Sequence, residues 1–176
     1  MKVKVILQKE EKVLRAIAKE VKLTDINTPK IKKVLRDMSL SLASQDDGVA
    51  IAAPQIGYSL RIFLVAGKVF DRSFARGKEV NSKKEIKPDM VFINPKIVKL
   101  SKDKEWMPEG CLSVRPIYGK TYRSKKATVE AYDENGVKFT RGASGLLAQI
   151  FQHETDHLNG ILFIDHGKEL REEVLS

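Results

Sequence analysis

Nothing limits the fold of this chain more than residues 152–160, Gln-His-Glu-Thr-Asp-His-Leu-Asn-Gly, together with the apolar run that leads into them. His153 and His157 stand four residues apart, so in a helix they share a face one turn apart and both imidazoles can reach a single metal ion. Glu154 follows the first of them. A carboxylate there can take a proton from a water that the ion polarises, which makes H-E-x-x-H a hydrolytic pattern as well as a binding one. Leu146, Ile150, His153 and His157 keep a helical period, and Leu147, Phe151 and Leu158 widen the stripe, so the imidazoles are expected to face inward. Ser144 is the expected N-cap, and Gly160 the left-handed residue that ends the helix.

Two histidines leave a tetrahedral site one protein ligand short. The third residue after Gly160 is Phe163, which cannot ligate, so the metzincin arrangement does not apply. Glu169, Glu172 and Glu173 are the glutamates left downstream, and Cys111, the single cysteine, is the remaining soft donor.

The other segments must cover that helix. Residues 10–21 read as a short amphipathic helix with Val13, Leu14, Ile17 and Val21 on one face. Thr28-Pro29 opens a second, marked by Ile31, Val34, Leu35, Met38 and Leu42 and ending before Asp46. Residues 48–55, Gly-Val-Ala-Ile-Ala-Ala-Pro-Gln, are small and partly extended; they suit close approach of another backbone, or a plain turn between helix and strand. Residues 61–65 and 91–100 read as strands, with Pro95 at an edge or a bulge. The charged residues 67–90 between them read as a surface excursion, and residues 127–132 and 137–141 flank a hairpin turn at Asp133-Glu134-Asn135-Gly136. The tail after Ile164 is short and charged.

A length of 176 residues suits one domain over 1–176. One cysteine excludes an internal disulfide framework and points to a reducing compartment, so a cytoplasmic location is expected. Val5, Ile6 and Leu7 are too short an apolar run for a signal peptide or membrane span. The net charge of +9 suits work near anionic surfaces, ribosomes among them, but equally a well-solvated basic surface with no specific nucleic-acid partner.

Cys111 lies in Glu109-Gly110-Cys111-Leu112-Ser113. With the 48–55 stretch and the histidine helix this makes three motifs in order, and the combination resembles the peptide deformylase family, whose patterns are G-x-G-x-A-A-P-Q, E-G-C-L-S and Q-H-E-x-D-H-x-x-G. The resemblance extends over nearly the whole chain to Ile164. It implies an α+β fold of small antiparallel β-sheets packed around a central C-terminal metal-binding helix. It also implies hydrolytic removal of the N-formyl group from N-formyl-methionyl nascent peptides, with release of formate. By the same resemblance Cys111, His153 and His157 hold one divalent ion, Fe2+ in the family, with Zn2+, Ni2+ or Co2+ able to replace it. Glu154 transfers protons, and Gln55 and the Leu112 N–H hold the oxyanion. Peptide is expected to lie as an added strand between Gly48, Val49 and Ala50 on one side and Glu109 and Gly110 on the other, with Val49, Leu146 and Ile150 around the methionine. A monomer, close to the ribosome and with no membrane attachment, is expected.

Three positions depart from the family pattern. Ala50 replaces the second glycine of the first motif, Arg115 stands where proline is usual, and residues 67–90 are longer than in compact bacterial members. The competing readings are a metallopeptidase and a catalytically silent, metal-bound peptide-binding protein.

Overall fold

The structure, a computed structural model, describes residues 3–71, 74 and 87–173. Helix α1, Pro29–Ala43, starts where the Thr28 hydroxyl accepts from the Ile31 N–H and Pro29 fills the first turn, where its missing donor costs nothing. Ile31, Val34, Met38 and Leu42 bury one face of α1 against the sheet. There follow β1 (Ala50–Ala52), a 3-10 turn (Ala53–Ile56), β2 (Ile62–Val65), β3 (Met90–Leu100), β4 (Lys104–Gly110), β5 (Ile117–Ser124), β6 (Lys126–Tyr132), β7 (Lys138–Ser144), α2 (Gly145–Leu158) and β8 (Lys168–Glu172). Two antiparallel sheets result, one of five strands in the order β1-β2-β3-β6-β7 and one of three in the order β4-β5-β8.

Helix α2 packs on the larger sheet and contacts β5 of the smaller one, so it is central to the fold. Phe151 of α2 meets Phe92 edge-on at 5.2 Å, and Phe92 stacks on Phe63 at 4.5 Å. All three rings are fully buried, which fixes the rotation of α2 about its axis. That rotation turns the adjacent residues His153, Glu154 and His157 toward the Cys111 segment.

Several expectations need correction. Residues 10–21 do not form an amphipathic helix; only Lys12–Arg15 make a 3-10 turn, and Ile17 is largely exposed. The chain is extended beyond it because its backbone is satisfied elsewhere: the Ala18 N–H donates to Leu158 O at 2.9 Å, and Lys19 pairs with Ser59 and Arg61. Of the two places the sequence allows for Pro95, an edge or a bulge, the second holds: it lies at a register shift between Ile93 and Lys96 in a strand flanked on both sides. The charged tail contains β8, the third strand of the smaller sheet.

Other expectations hold. The 127–132 and 137–141 strands and their turn stand, with Gly136 at φ 78°. Ser144 occupies the N-cap position of α2, although its side chain makes no capping bond. Gly160 takes φ 73°, and a Cβ there would sit 2.6 Å from the Arg15 carbonyl oxygen. Most of the 67–90 excursion lies outside the described residues; its two ends are joined by the Asp89 carboxylate, which accepts from the Gly67 N–H at 3.1 Å. No helix among the described residues is long and apolar enough to cross a membrane.

Candidate active site

The i, i+4 spacing sets the His153 and His157 rings on one side of α2, centroids 4.9 Å apart. Cys111, immediately after β4, comes to the same place: its Sγ is 3.2 Å from His157 Nε2, across 46 residues of sequence. One sulfur and two ring nitrogens from these residues lie within 4.8 Å of one another. One thiol and two imidazoles are a donor set for a divalent transition metal. Of the donors left open by the sequence, Cys111 is therefore the one that joins the histidines.

Behind His153 stands Glu109. Its Oε1 accepts from His153 Nδ1 at 2.6 Å and from Arg123 Nη2 at 2.6 Å. Its Oε2 accepts from Thr121 Oγ1 at 2.5 Å, Arg123 Nε at 3.1 Å and Gln149 Nε2 at 3.1 Å. Arg123 extends the network to Asp156, with Nη1 2.7 Å from Oδ2. Burial alone would raise the Glu109 pKa, but the His153 hydrogen bond and the Arg123 guanidinium hold it well below the usual carboxylate range. With its Nδ1–H committed to Glu109, His153 presents Nε2 toward the site, the arrangement metal-binding histidines commonly use. Burial also draws His153 down, yet its contacts with Cys111 and Glu109 keep its pKa well above the ordinary value while no cation competes. His157 is held well below it by burial and by His153, so its imidazole is neutral. His157 Nδ1 is buried without a hydrogen-bond partner among the described residues, so this second ring lacks a brace from behind like the one Glu109 gives His153.

Glu154 faces the same space. It is 3% exposed, its Oε2 has no hydrogen-bond partner among the described residues, and burial pushes its pKa up to about 7. A carboxylate poised near neutrality with one oxygen unengaged is suited to accept and return a proton.

Gln55 is oriented by its own turn. Its Oε1 accepts from the Ala52 N–H at 2.8 Å, so its Nε2 must point away from that turn, where it donates to Ser113 Oγ at 3.0 Å and approaches Cys111 Sγ at 3.6 Å. Leu112 offers its carbonyl to Gln8 Nε2 at 3.1 Å, and none of the hydrogen bonds among the described residues uses its N–H.

One cleft brings these groups together. It is lined by Gly48, Val49 and Ala50 of the β1 segment, Glu109, Gly110, Cys111 and Leu112 of the cysteine segment, Leu146, Ile150, His153 and Glu154 of α2, and Gln55. β1 is an edge strand, so its outer side can take an added strand up to Ala52, whose N–H is already given to Gln55 Oε1. Glu109 lines the cleft, but its carboxylate is wholly taken up by His153, Arg123, Thr121 and Gln149 and is not free to hold peptide. Arg123, Thr121 and Gln149 escaped the sequence reading because no spacing marks them; Ser113, inside the cysteine motif, and Asp156, inside the histidine motif, carried a local signal but no assigned role.

Fold and site together define a hydrolase with a cysteine and two histidines arranged for a metal ion beside a glutamate. A sequence model described as polypeptide deformylase matches residues 3–173. The chain belongs to that family, whose members remove the N-formyl group from nascent peptides. Peptide deformylase 2 of Clostridium acetobutylicum is 40% identical over 156 residues, covering 89% of each chain. The peptide deformylase of Borreliella burgdorferi is 37% identical over 157 residues, covering 89% of this chain and 83% of that protein. Among solved structures, a Met-Ala-Ser-bound class I type b peptide deformylase from Acinetobacter baumannii superposes with a TM-score of 0.80 at 30% identity, covering 94% of this chain and all of that one. A peptide deformylase from Legionella pneumophila gives 0.77 at 36% identity, covering 96% of this chain and 88% of that one.

Proposed function

We propose that this single-domain deformylase holds its cation with Cys111, His153 and His157 and works on N-formyl-methionyl peptides by the groups around them. The observation that carries the proposal is the convergence of Cys111 Sγ on the two imidazoles. The donor chemistry fits a divalent ion, and Glu109 braces one ligand from behind. Fe2+ is the ion the family resemblance favours; Zn2+, Co2+ and Ni2+ suit the same donors. When bound, such an ion supplies Lewis acidity, lowering the pKa of a water and polarising a carbonyl.

The residues of the chain do the rest. Peptide backbone pairs along Gly48, Val49 and Ala50, and the methionine side chain rests on Leu146 and Ile150. The formyl oxygen gains charge as its carbon becomes tetrahedral, and the Gln55 amide and the Leu112 N–H donate to it. Glu154 takes the proton of the attacking water and delivers it to the departing amine, for which a pKa of about 7 serves both directions. Water is kept from the reacting groups by the burial of α2 and the Gln55 turn.

The single cysteine and the nascent-peptide substrate support a reducing cytoplasm, and the charge of +9 supports work close to the ribosome. The Met-Ala-Ser bound to the Acinetobacter relative is the product expected from formyl-Met-Ala-Ser, which makes that peptide the natural assay. Protein purified without oxygen should release formate and free Met-Ala-Ser in equal amounts. Release of methionine from the unformylated peptide would instead show a metallopeptidase, and binding without turnover a silent peptide-binding protein.

A further inference from the structure

Arg115 is one of the chain's departures from the family pattern, and its side chain lies on the cleft. Its Nη2 meets Asp47 Oδ1 at 2.5 Å. The two residues stand on opposite lips: Asp47 precedes the Gly48–Ala50 edge, and Arg115 follows the Cys111 segment, and both line the cleft. The other charged lining groups are committed. Glu109 is taken by Arg123 and His153, and His153 and Glu154 belong to the reacting centre. Among the described residues, Asp47 and Arg115 are thus the charges at the cleft available to a peptide side chain.

The pair is not symmetric. The Arg115 side chain is 29% exposed and that of Asp47 59%, so the cation is set deeper and the anion is more screened by water. A guanidinium has five N–H donors in a planar fork, and Asp47 engages one nitrogen through one oxygen. The remaining donors can take a second carboxylate while Asp47 keeps the group in place. A peptide added to the β1 edge with its methionine at Leu146 and Ile150 runs its next residues out toward these lips, with side chains alternating in direction.

We infer that Arg115 is a specificity-determining residue: it favours formyl-methionyl peptides with an acidic side chain at the second or third residue over those with lysine there. The inference rests on the deformylase reading of the cleft. Because the effect acts on bound substrate and transition state alike, it belongs in KM.

The test compares formyl-Met-Glu-Ser-amide with formyl-Met-Lys-Ser-amide, and formyl-Met-Ala-Glu-amide with formyl-Met-Ala-Lys-amide, at low salt. The wild-type protein should prefer glutamate about fivefold in kcat/KM in one of the two pairs, the scale of a partly exposed ion pair. Arg115→Ala should abolish or invert that preference, and Arg115→Lys should keep part of it. Asp47→Asn, which leaves the cation in place, should enlarge it and gives a second reading if Arg115→Ala does not fold. A wild-type ratio near one in both pairs, or a preference unchanged in Arg115→Ala or in Asp47→Asn, overturns the inference. Formate release from formyl-Met-Ala-Ser without any charge discrimination removes the role of Arg115 alone; no release from any formyl peptide removes the deformylase reading with it.

Discussion

Replacing Glu109 with glutamine changes one oxygen into an amide and leaves the volume of the site nearly intact. The native carboxylate receives donors on both oxygens, two on Oε1 and three on Oε2. Whichever way the glutamine is placed, its NH2 faces at least two of those donors, and Arg123, 7% exposed, loses the buried negative charge that neutralises it. Breaking a buried pair of this kind costs about 3–5 kcal/mol. Asp156 keeps its contact with Arg123 Nη1, so the loss should fall near the lower end, about 3 kcal/mol. Urea unfolding of the cation-free proteins at pH 7 measures it. The Glu109 pKa is depressed in the folded state, so its contribution is fully present above the unfolded value of 4.5 and fades as pH falls through the lower folded value. The difference between wild type and Glu109→Gln should therefore be widest between about pH 4.5 and 6.5, narrowing in acid and, because Glu109 also helps raise the His153 pKa, narrowing again as pH rises above 6.5. The same substitution frees the His153 ring, and chelator competition should show metal affinity weakened about 10–100-fold. Unchanged stability and unchanged metal affinity together would refute the bracing role of Glu109.

Glu154→Ala should keep the metal and lose about 10²–10⁴-fold in kcat, measured as formate release against metal content. The raised pKa of Glu154, about 7, means that the folded protein holds a proton the unfolded chain has lost between pH 4.5 and 7, so the cation-free protein loses stability as pH rises through that window. Glu154→Gln should remove that decline, which denaturant midpoints across the window would register. Ala50→Gly should change kcat/KM by less than about threefold, the scale of added backbone freedom alone. Ala50 has no positive φ and its side chain belongs to the buried core cluster, so its methyl does not stand between β1 and an added strand; a tenfold fall in KM in the glycine variant would contradict this.

The sequence carried most where chemistry imposes a spacing. His153, Glu154 and His157 are tied by the helical repeat, and α1 by Thr28, Pro29 and its apolar face, so these elements were legible residue by residue. The smaller sheet was not, because β4 and β5 bury Glu109, Thr121, Arg123 and Ser124 where an ordinary strand buries aliphatic side chains, and β8 is exposed throughout. Those inward polar residues are the support of the metal site. The pattern that hid the strands is thus the same one that gives His153 its partner. Residues 10–21 misled for the opposite reason: Leu14, Ala18 and Val21 are buried at helical spacing, but the backbone of 18–21 is satisfied by Leu158 of α2, by Ser59 and by the Asn94 side chain, beyond the reach of any local signal. The Cys111 donor was available to a reading of motifs, whereas its approach to His157 required the fold.

The most direct test of the account is whether Cys111 and the two histidines bind one ion together. The protein loaded with Co2+ under anaerobic conditions should take up one ion per chain and show a near-ultraviolet sulfur-to-cobalt charge-transfer band. Cys111→Ser should lose that band, and His153→Ala and His157→Ala should each weaken binding. A cobalt-loaded wild-type protein without a thiolate band, or a Cys111→Ser protein that retains it, would contradict the assignment of the site.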